Sequence, residues 1–209
     1  MKAKFIFLFT FALAGNLLAQ AIDLPAPKQS GGLPLMEALA RRSTSRAFAT
    51  NDLSPQQISS LLWAAFGINR PDGKRTAPSA RNKQEMDIYV LLKQGVYVYS
   101  AVSNRLDQVL AEDVRPLGGT QPFVKDAPVT LVFVADLAKA GGNSENSRNY
   151  AFADAGCISQ NVYLFCASEG LATGVRASID HAALGQKLKL RPDQLIVLAQ
   201  SAGYPKDAK

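Results

Sequence analysis

The chain is short of the residues from which most metal and nucleophile sites are made. It has one histidine, His181, and two cysteines, Cys157 and Cys166. That excludes multi-histidine metal sites, four-cysteine zinc sites, cysteine-ligated iron–sulfur clusters held by one chain, and a disulfide-rich scaffold. A Ser-His-Asp triad would have to run through His181. Cys157 and Cys166 fall in one helical segment, roughly 13 Å apart at the helical rise per residue, too far for a bridge. Both read as small buried apolar residues. Charge is also modest, at 19% of residues against 47% hydrophobic, a globular composition. The net charge of +6 is scattered, with no run of five or six basic residues, so nucleic-acid binding has little support. There is no internal repeat and no low-complexity segment. A length of 209 residues suits one domain.

The first residues read as a targeting segment. Lys2 and Lys4 precede the apolar run Phe5 to Ala14, and Leu18-Ala19-Gln20-Ala21 offers an A-x-A cleavage site. This is the order of a secretory signal peptide, expected over 1–19 with cleavage after Ala19 or Ala21. The apolar run is shorter than the ~20 residues of a membrane span, so no stable membrane insertion is expected after cleavage. Removing 1–19 takes away Lys2 and Lys4 and no acid, so the charge falls from +6 to +4. The expected compartment is exported, periplasmic or extracellular.

Residues 20–32, with Pro25, Pro27, Gly31 and Gly32, read as an extended arm before a domain over 33–209. Leu35, Met36 and Leu39 lie at helical spacing. Ser54-Pro55-Gln56-Gln57 is a helix start with a capping box, and that helix stops at Gly67. Residues 69–84 are a polar loop. Ile88–Leu92 and Gly95–Tyr99 suit two strands, and Val129–Ala135 a buried one. Residues 101–128 give no clear pattern. Glu145–Glu169 is the longest helical candidate, apolar nearly all round, hence a buried central helix ended by Gly170. A strand over 171–179, a helix from Asp180 and a strand over 195–199 follow. Trp63, Phe66, Tyr97 and Tyr99 read as core and hairpin packing. The expected class is α+β, with helices on both faces of a mainly antiparallel sheet.

Two segments carry candidate chemistry. Arg41-Arg42-Ser43-Thr44-Ser45-Arg46 gathers three guanidinium groups and three hydroxyls, which suit a phosphate or a polyol. The same residues would also serve as a solvated basic helix end. Pro78-Ser79-Ala80-Arg81-Asn82-Lys83-Gln84 places amide side chains, which donate and accept at once, on a turn. A plain surface loop has the same composition.

Taken together, these segments resemble the FMN-dependent nitroreductase family. Arg42, Ser43, Thr44, Arg46 and Phe48 match its R-[RH]-[ST]-x-[RK]-x-F pattern. Pro78, Ser79, Asn82 and Gln84 match its P-S-x-x-N-x-Q loop. The stretch Leu53–Thr76 and Gly95–Tyr99 resembles the branch containing thiazoline and oxazoline dehydrogenases. Asp154-Ala155-Gly156, Gln160-Asn161, Gly170-Leu171 and Gly203-Tyr204-Pro205 follow the family, so the likeness spans about residues 33–206.

The resemblance implies a three-layer α/β/α sandwich with a mainly antiparallel sheet and a long central helix. It implies an intertwined homodimer with FMN at the interface. Arg42, Ser43, Thr44 and Arg46 would hold the flavin phosphate and ribityl chain, with Lys206 as a further phosphate ligand. Asn82 would meet the ring, with Pro78, Ser79 and Ala80 packed near it, in part from the partner subunit, and Gln84 would be a further cofactor-binding residue. The backbone of Ala177 and Ser178 would face the flavin N5 and O4 region, where an N–H stabilises negative charge. Arg81 stands where the related branch has glycine. No protein side chain is expected to be catalytic, His181 included, because the flavin carries the chemistry.

The activity implied is transfer of a hydride or electrons through FMN to a small electron-poor acceptor such as a nitroaromatic or quinone, with NAD(P)H as a candidate donor. Oxidation of an azoline-type substrate and a non-catalytic exported FMN-binding protein are the alternatives.

Overall fold

The apolar run at Val129–Asp136 forms a strand buried along its whole length. Leu131, Phe133 and Ala135 face one side, and Val132 and Val134 the other. A strand covered on both faces needs no polar alternation, which is why this segment reads as a continuous apolar run. The fold, taken from a computed structural model, is described for residues 21–206. The expected signal peptide over 1–19 lies outside the described residues.

Seven strands make one sheet. They are β1 (Ala21–Asp23), β2 (Met86–Leu92), β3 (Gly95–Ser100), β4 (Arg105–Leu110), β5 (Val129–Asp136), β6 (Ala172–Arg176) and β7 (Gln194–Gly203). Their order is β1-β4-β3-β2-β5-β7-β6. Every pairing is antiparallel, with register shifts in β3–β4 and β5–β7.

On one face lie α2 (Pro55–Phe66) and α4 (Glu145–Glu169). Leu61, Leu62, Ala155, Ile158 and Val162 from these helices close the larger core over Ile88, Val90 and Phe133. On the other face, Leu184 of α5 (His181–Lys187), with Val114 and Leu188, covers Tyr89, Leu91, Val132 and Ile196. The α+β three-layer sandwich expected from the sequence is the observed architecture. Two short helices complete it, α1 (Leu35–Arg41) and α3 (Leu137–Ala140).

Local chemistry sets the boundaries. Ser54 Oγ accepts from Gln57 N at 3.2 Å, and Gln57 Oε1 accepts from Ser54 N at 2.9 Å, the reciprocal box read from the sequence. Asp180 caps α5 through Ala183 N at 2.9 Å. Gly170 ends α4 at φ 69°, a left-handed conformation that glycine takes without strain. Phe66, Tyr97 and Tyr99 are in the core as expected, while Trp63 is half-buried and donates to Ile68 O at 3.0 Å.

Four readings change. Residues 101–128, unread from sequence, contain β4 and two short 3-10 turns, Arg115–Gly118 and Pro122–Lys125. The last strand runs on to Gly203, because pairing with both β5 and β6 carries it past the apolar stretch. The arm starts as edge strand β1 and then lies over α2, where Ser59 Oγ donates to Pro25 O at 2.6 Å and Lys28 N donates to Ser60 Oγ at 3.1 Å. Finally, Cys157 is exposed whereas Cys166 is fully buried. Nine helical steps turn the chain by about half a revolution, so the two cysteines sit on opposite sides of α4. That helix is central but not buried all round. Phe152, Ala153, Gly156, Cys157 and Gln160 form an exposed stripe along it.

Candidate functional site

The arginine segment lies against the free edge of β6. Ser45 N donates to Thr173 O at 2.9 Å, so the chain after α1 continues the sheet by one contact. The fit is close. A Cβ on Gly174 would stand 2.8 Å from Ser45 O, so only glycine admits this approach. Thr44 Oγ1 lies 2.9 Å from the Tyr163 hydroxyl, which accepts Val175 N–H at 3.1 Å. The Arg42 guanidinium stands 5.3 Å from the centre of the Tyr163 ring. One tyrosine on α4 therefore fixes both the arginine segment and β6.

Lys206 joins this group through its backbone, whose N–H reaches Ala47 O at 3.3 Å, next to the Phe48–Pro205 bridge. Ala177 and Ser178 follow β6 directly, both exposed, and Ser178 O accepts from Thr120 N at 3.0 Å. The segment with Arg42, Ser43, Thr44 and Arg46 thus lies along the outer edge of β6, with Lys206 beyond the start of that strand and Ala177 and Ser178 beyond its end. Neighbouring Arg41 is ion-paired with Glu37. Among the described residues, Arg42, Arg46 and Lys206 have no acidic partner. Three unneutralised cations beside exposed hydroxyls make an anion-binding donor set.

The other predicted loop is elsewhere. Ala80 N donates to Asp154 Oδ2 at 2.9 Å, which ties Pro78–Gln84 to the first half of α4. Asp154 and Tyr163 are about 13 Å apart along the helix axis, so the two groups do not meet within one chain. The loop is internally pinned. Gln84 Oε1 accepts from Arg75 Nε at 2.8 Å, and its Nε2 donates to Gly73 O at 3.2 Å and Asn82 Oδ1 at 3.1 Å. Ser79 Oγ accepts from Gln84 N at 2.9 Å. Gln84 and Ser79 are therefore spent on shaping the loop, whereas Asn82 is exposed with its amide N–H groups free of protein acceptors among the described residues. Arg81, Asn82 and Gln84 have φ of 54°, 53° and 47°, all left-handed. That conformation is one a glycine adopts without strain, so Arg81 holds its backbone at a cost.

Three residues escaped the sequence reading. Tyr163 looked like one more apolar position of a long helix. Arg176, 7% exposed, donates through Nε to Gly118 O at 2.7 Å and through Nη1 to Ser201 Oγ at 3.0 Å, with no carboxylate partner among the described residues. Burial pushes its pKa down to about 10, so it stays charged at neutral pH. Gly118-Gly119 is moulded around it, and Thr120 from the same turn holds Ser178. Glu85, 2% exposed, has neither carboxyl oxygen hydrogen-bonded; burial, with Asp154 beside it, raises its pKa to about 7. No sequence pattern distinguishes these three from ordinary strand and helix residues.

Of the cavities, one of about 580 Å³ lies between the arm, α2 and α4, bordered by Trp63, Asn69, Asn161 and Phe165, and includes none of the predicted site residues. A second, about 220 Å³, lies under the loop between Arg81, Lys83, Glu85 and Tyr150. His181 is exposed at the start of α5, three residues after Ser178.

Comparison with known proteins gives the family. The profile of the Nitroreductase family matches residues 38–204. A protein of Methanocaldococcus jannaschii named as a nitroreductase is 25% identical over 177 residues, 79% of this chain and 89% of that protein. A crystal structure from Ralstonia eutropha, also named as a nitroreductase, superposes with a TM-score of 0.85 at 37% identity, covering 90% of each chain. One from Parabacteroides distasonis, named as an NADH dehydrogenase/NAD(P)H nitroreductase, shares the fold at a TM-score of 0.61 and 18% identity, over 84% of this chain and 89% of that one. The pattern match over most of the chain, together with the sheet edge it builds, leads to one conclusion: the chain belongs to the nitroreductase family and is a nitroreductase-like oxidoreductase.

Proposed function

We propose that the protein is an exported, FMN-dependent oxidoreductase that works as a homodimer. The observation that carries this reading is the trio Arg42, Arg46 and Lys206, without an acidic partner among the described residues, along an edge strand flanked by Ser43 and Thr44 and followed by the exposed Ala177 and Ser178. That donor set fits the phosphate and ribityl end of FMN. The bound flavin would supply two-electron transfer to an electron-poor acceptor such as a nitroaromatic or quinone. The chain's own groups bind and orient. The arginines hold the anionic end, and the 177–178 backbone presents N–H groups to the ring region.

Two further observations support a pair of chains. The loop carrying Asn82 sits on the Asp154 end of α4, away from the arginines, so a second copy is needed to bring the two groups together. An apolar face is also uncovered, with Leu35 63%, Met36 75% and Phe152 49% exposed, the kind of patch that marks an interface. Export rests on the N-terminal segment. Ala21 pairs with Asp107 in β1, so cleavage after Ala19 would leave that strand whole and is the preferred site.

The test is a visible spectrum of the mature protein after FMN addition and desalting, then anaerobic NADH, NADPH and dithionite. Retained flavin bleached by a nicotinamide donor supports a reductase. Bleaching by dithionite alone points to another donor or to an FMN-binding carrier. No retained flavin, or equal retention by the Arg42→Ala, Arg46→Ala double variant, overturns the site.

A further inference from the structure

Beneath the Pro78–Gln84 loop lie two buried carboxyl groups, Glu85 and Asp154, near enough for Asp154 to act on Glu85. Asp154 is 7% exposed and uses Oδ2 to accept the Ala80 N–H at 2.9 Å. Glu85, the residue directly after the loop, is 2% exposed, and neither of its oxygens meets a donor among the described residues. Ionised carboxylates only accept hydrogen bonds. Between Glu85 and Asp154 there is thus no hydrogen unless one of them carries a proton. Two buried negative charges in contact are also strongly disfavoured.

The surroundings do not supply an alternative partner. Lys139 on α3 makes its ion pairs with Asp87 at 3.3 Å and Asp136 at 3.9 Å, and its charge is the smallest of the influences on Glu85. Arg81 and Lys83, on the loop, are exposed at the mouth of the 220 Å³ cavity, and Tyr150 of α4 forms its other side. Asp136 gives its N–H to the Glu85 backbone oxygen, while its carboxylate is turned to Arg191 and the N-terminus of α3. A proton on Glu85 is what completes the set. It lets Glu85 donate to Asp154 while Asp154 holds Ala80.

The loop needs such a hold. Arg81, Asn82 and Gln84 all occupy the left-handed region, where a side chain is strained. We propose that Glu85 and Asp154 form a proton-sharing latch that fastens the Pro78–Gln84 loop to α4, and that loss of the proton from Glu85 releases the loop. Both act as positioning residues for Asn82. The latch rests on the burial of both carboxyls, the Asp154–Ala80 bond and the want of a donor at Glu85. Its consequence for the cofactor rests on the proposed FMN site.

The experiment uses limited trypsin digestion of the mature chain at pH 6 and pH 8.5. Arg81 and Lys83 are exposed cleavage points on the loop, and Lys28 in the arm is an exposed reference that cancels trypsin's own pH dependence. Cleavage at 81 and 83 relative to 28 should rise about tenfold at the higher pH, the equivalent of one charge-assisted hydrogen bond. Glu85→Gln and Asp154→Asn each place an amide donor between the two groups and should stay closed at both values. Asp154→Ala should be open at both. Equal opening of wild type and Glu85→Gln at pH 8.5, or no change in wild type, overturns the latch.

FMN affinity, followed by quenching of its fluorescence, is the second readout. It should weaken with pH by about the same factor in wild type and not in Glu85→Gln. If no form binds FMN at either pH, the proposed function fails, while the digestion still decides the latch.

Discussion

The Tyr163 hydroxyl stands 2.9 Å from Thr44 Oγ1 and accepts the Val175 N–H at 3.1 Å, so one phenol joins the long helix, the edge strand and the arginine segment. Tyr163→Phe leaves the Val175 N–H without its acceptor and frees Thr44. The expected loss is about 1 kcal/mol of stability in urea unfolding, with a weaker grip on FMN. A variant as stable as wild type, with unchanged FMN affinity, would show that the arginine segment is placed by its sheet contact alone.

Arg81 holds a φ of 54° with an exposed side chain that makes no hydrogen bond or ion pair among the described residues. Arg81→Gly removes the clash between Cβ and the following carbonyl and should raise stability by about 1 kcal/mol. Thermal unfolding of the two proteins at one pH measures this. A lower midpoint in the variant would mean that the arginine contributes more than its backbone strain costs.

Glu85 makes stability depend on pH in a stated direction. Unfolded, it loses its proton near the ordinary value of 4.5, whereas folded it keeps it up to about 7. Across that window the folded state binds a proton that the unfolded chain has released, so stability falls as pH rises. The loss from this group is on the order of 3 kcal/mol. Urea unfolding at pH 5 and pH 8 should show a steeper fall in wild type than in Glu85→Gln. Parallel curves for the two proteins would contradict the raised value.

Gly119 lies so close to Arg176 that a Cβ there would stand 2.3 Å from Nε and 2.7 Å from Cδ. Arg176 cannot withdraw, because its Nε and Nη1 are bound to Gly118 O and Ser201 Oγ. Gly119→Ala should therefore cost about 2 kcal/mol and loosen the turn whose Thr120 holds Ser178. Amide hydrogen exchange at Thr120 is the local check, where faster exchange is expected and unchanged protection would be the contrary result.

The sequence by itself determined the local elements and the cluster of chemistry on the arginine segment. Helix α2 was legible because its capping box and 3.6-residue period act within a few positions. β5 was legible because a strand covered on both faces must be apolar throughout. The turn at Gly118–Gly119 was opaque because it is moulded around Arg176, a residue far along the chain. Only the tertiary structure decided which chemistry meets. It put Lys206 beside Ala47, placed the Asn82 loop about 13 Å along α4 from the arginines, and set Glu85 against Asp154. These are contacts between residues distant in sequence. They follow from strand order and helix packing, which local pattern and composition do not encode.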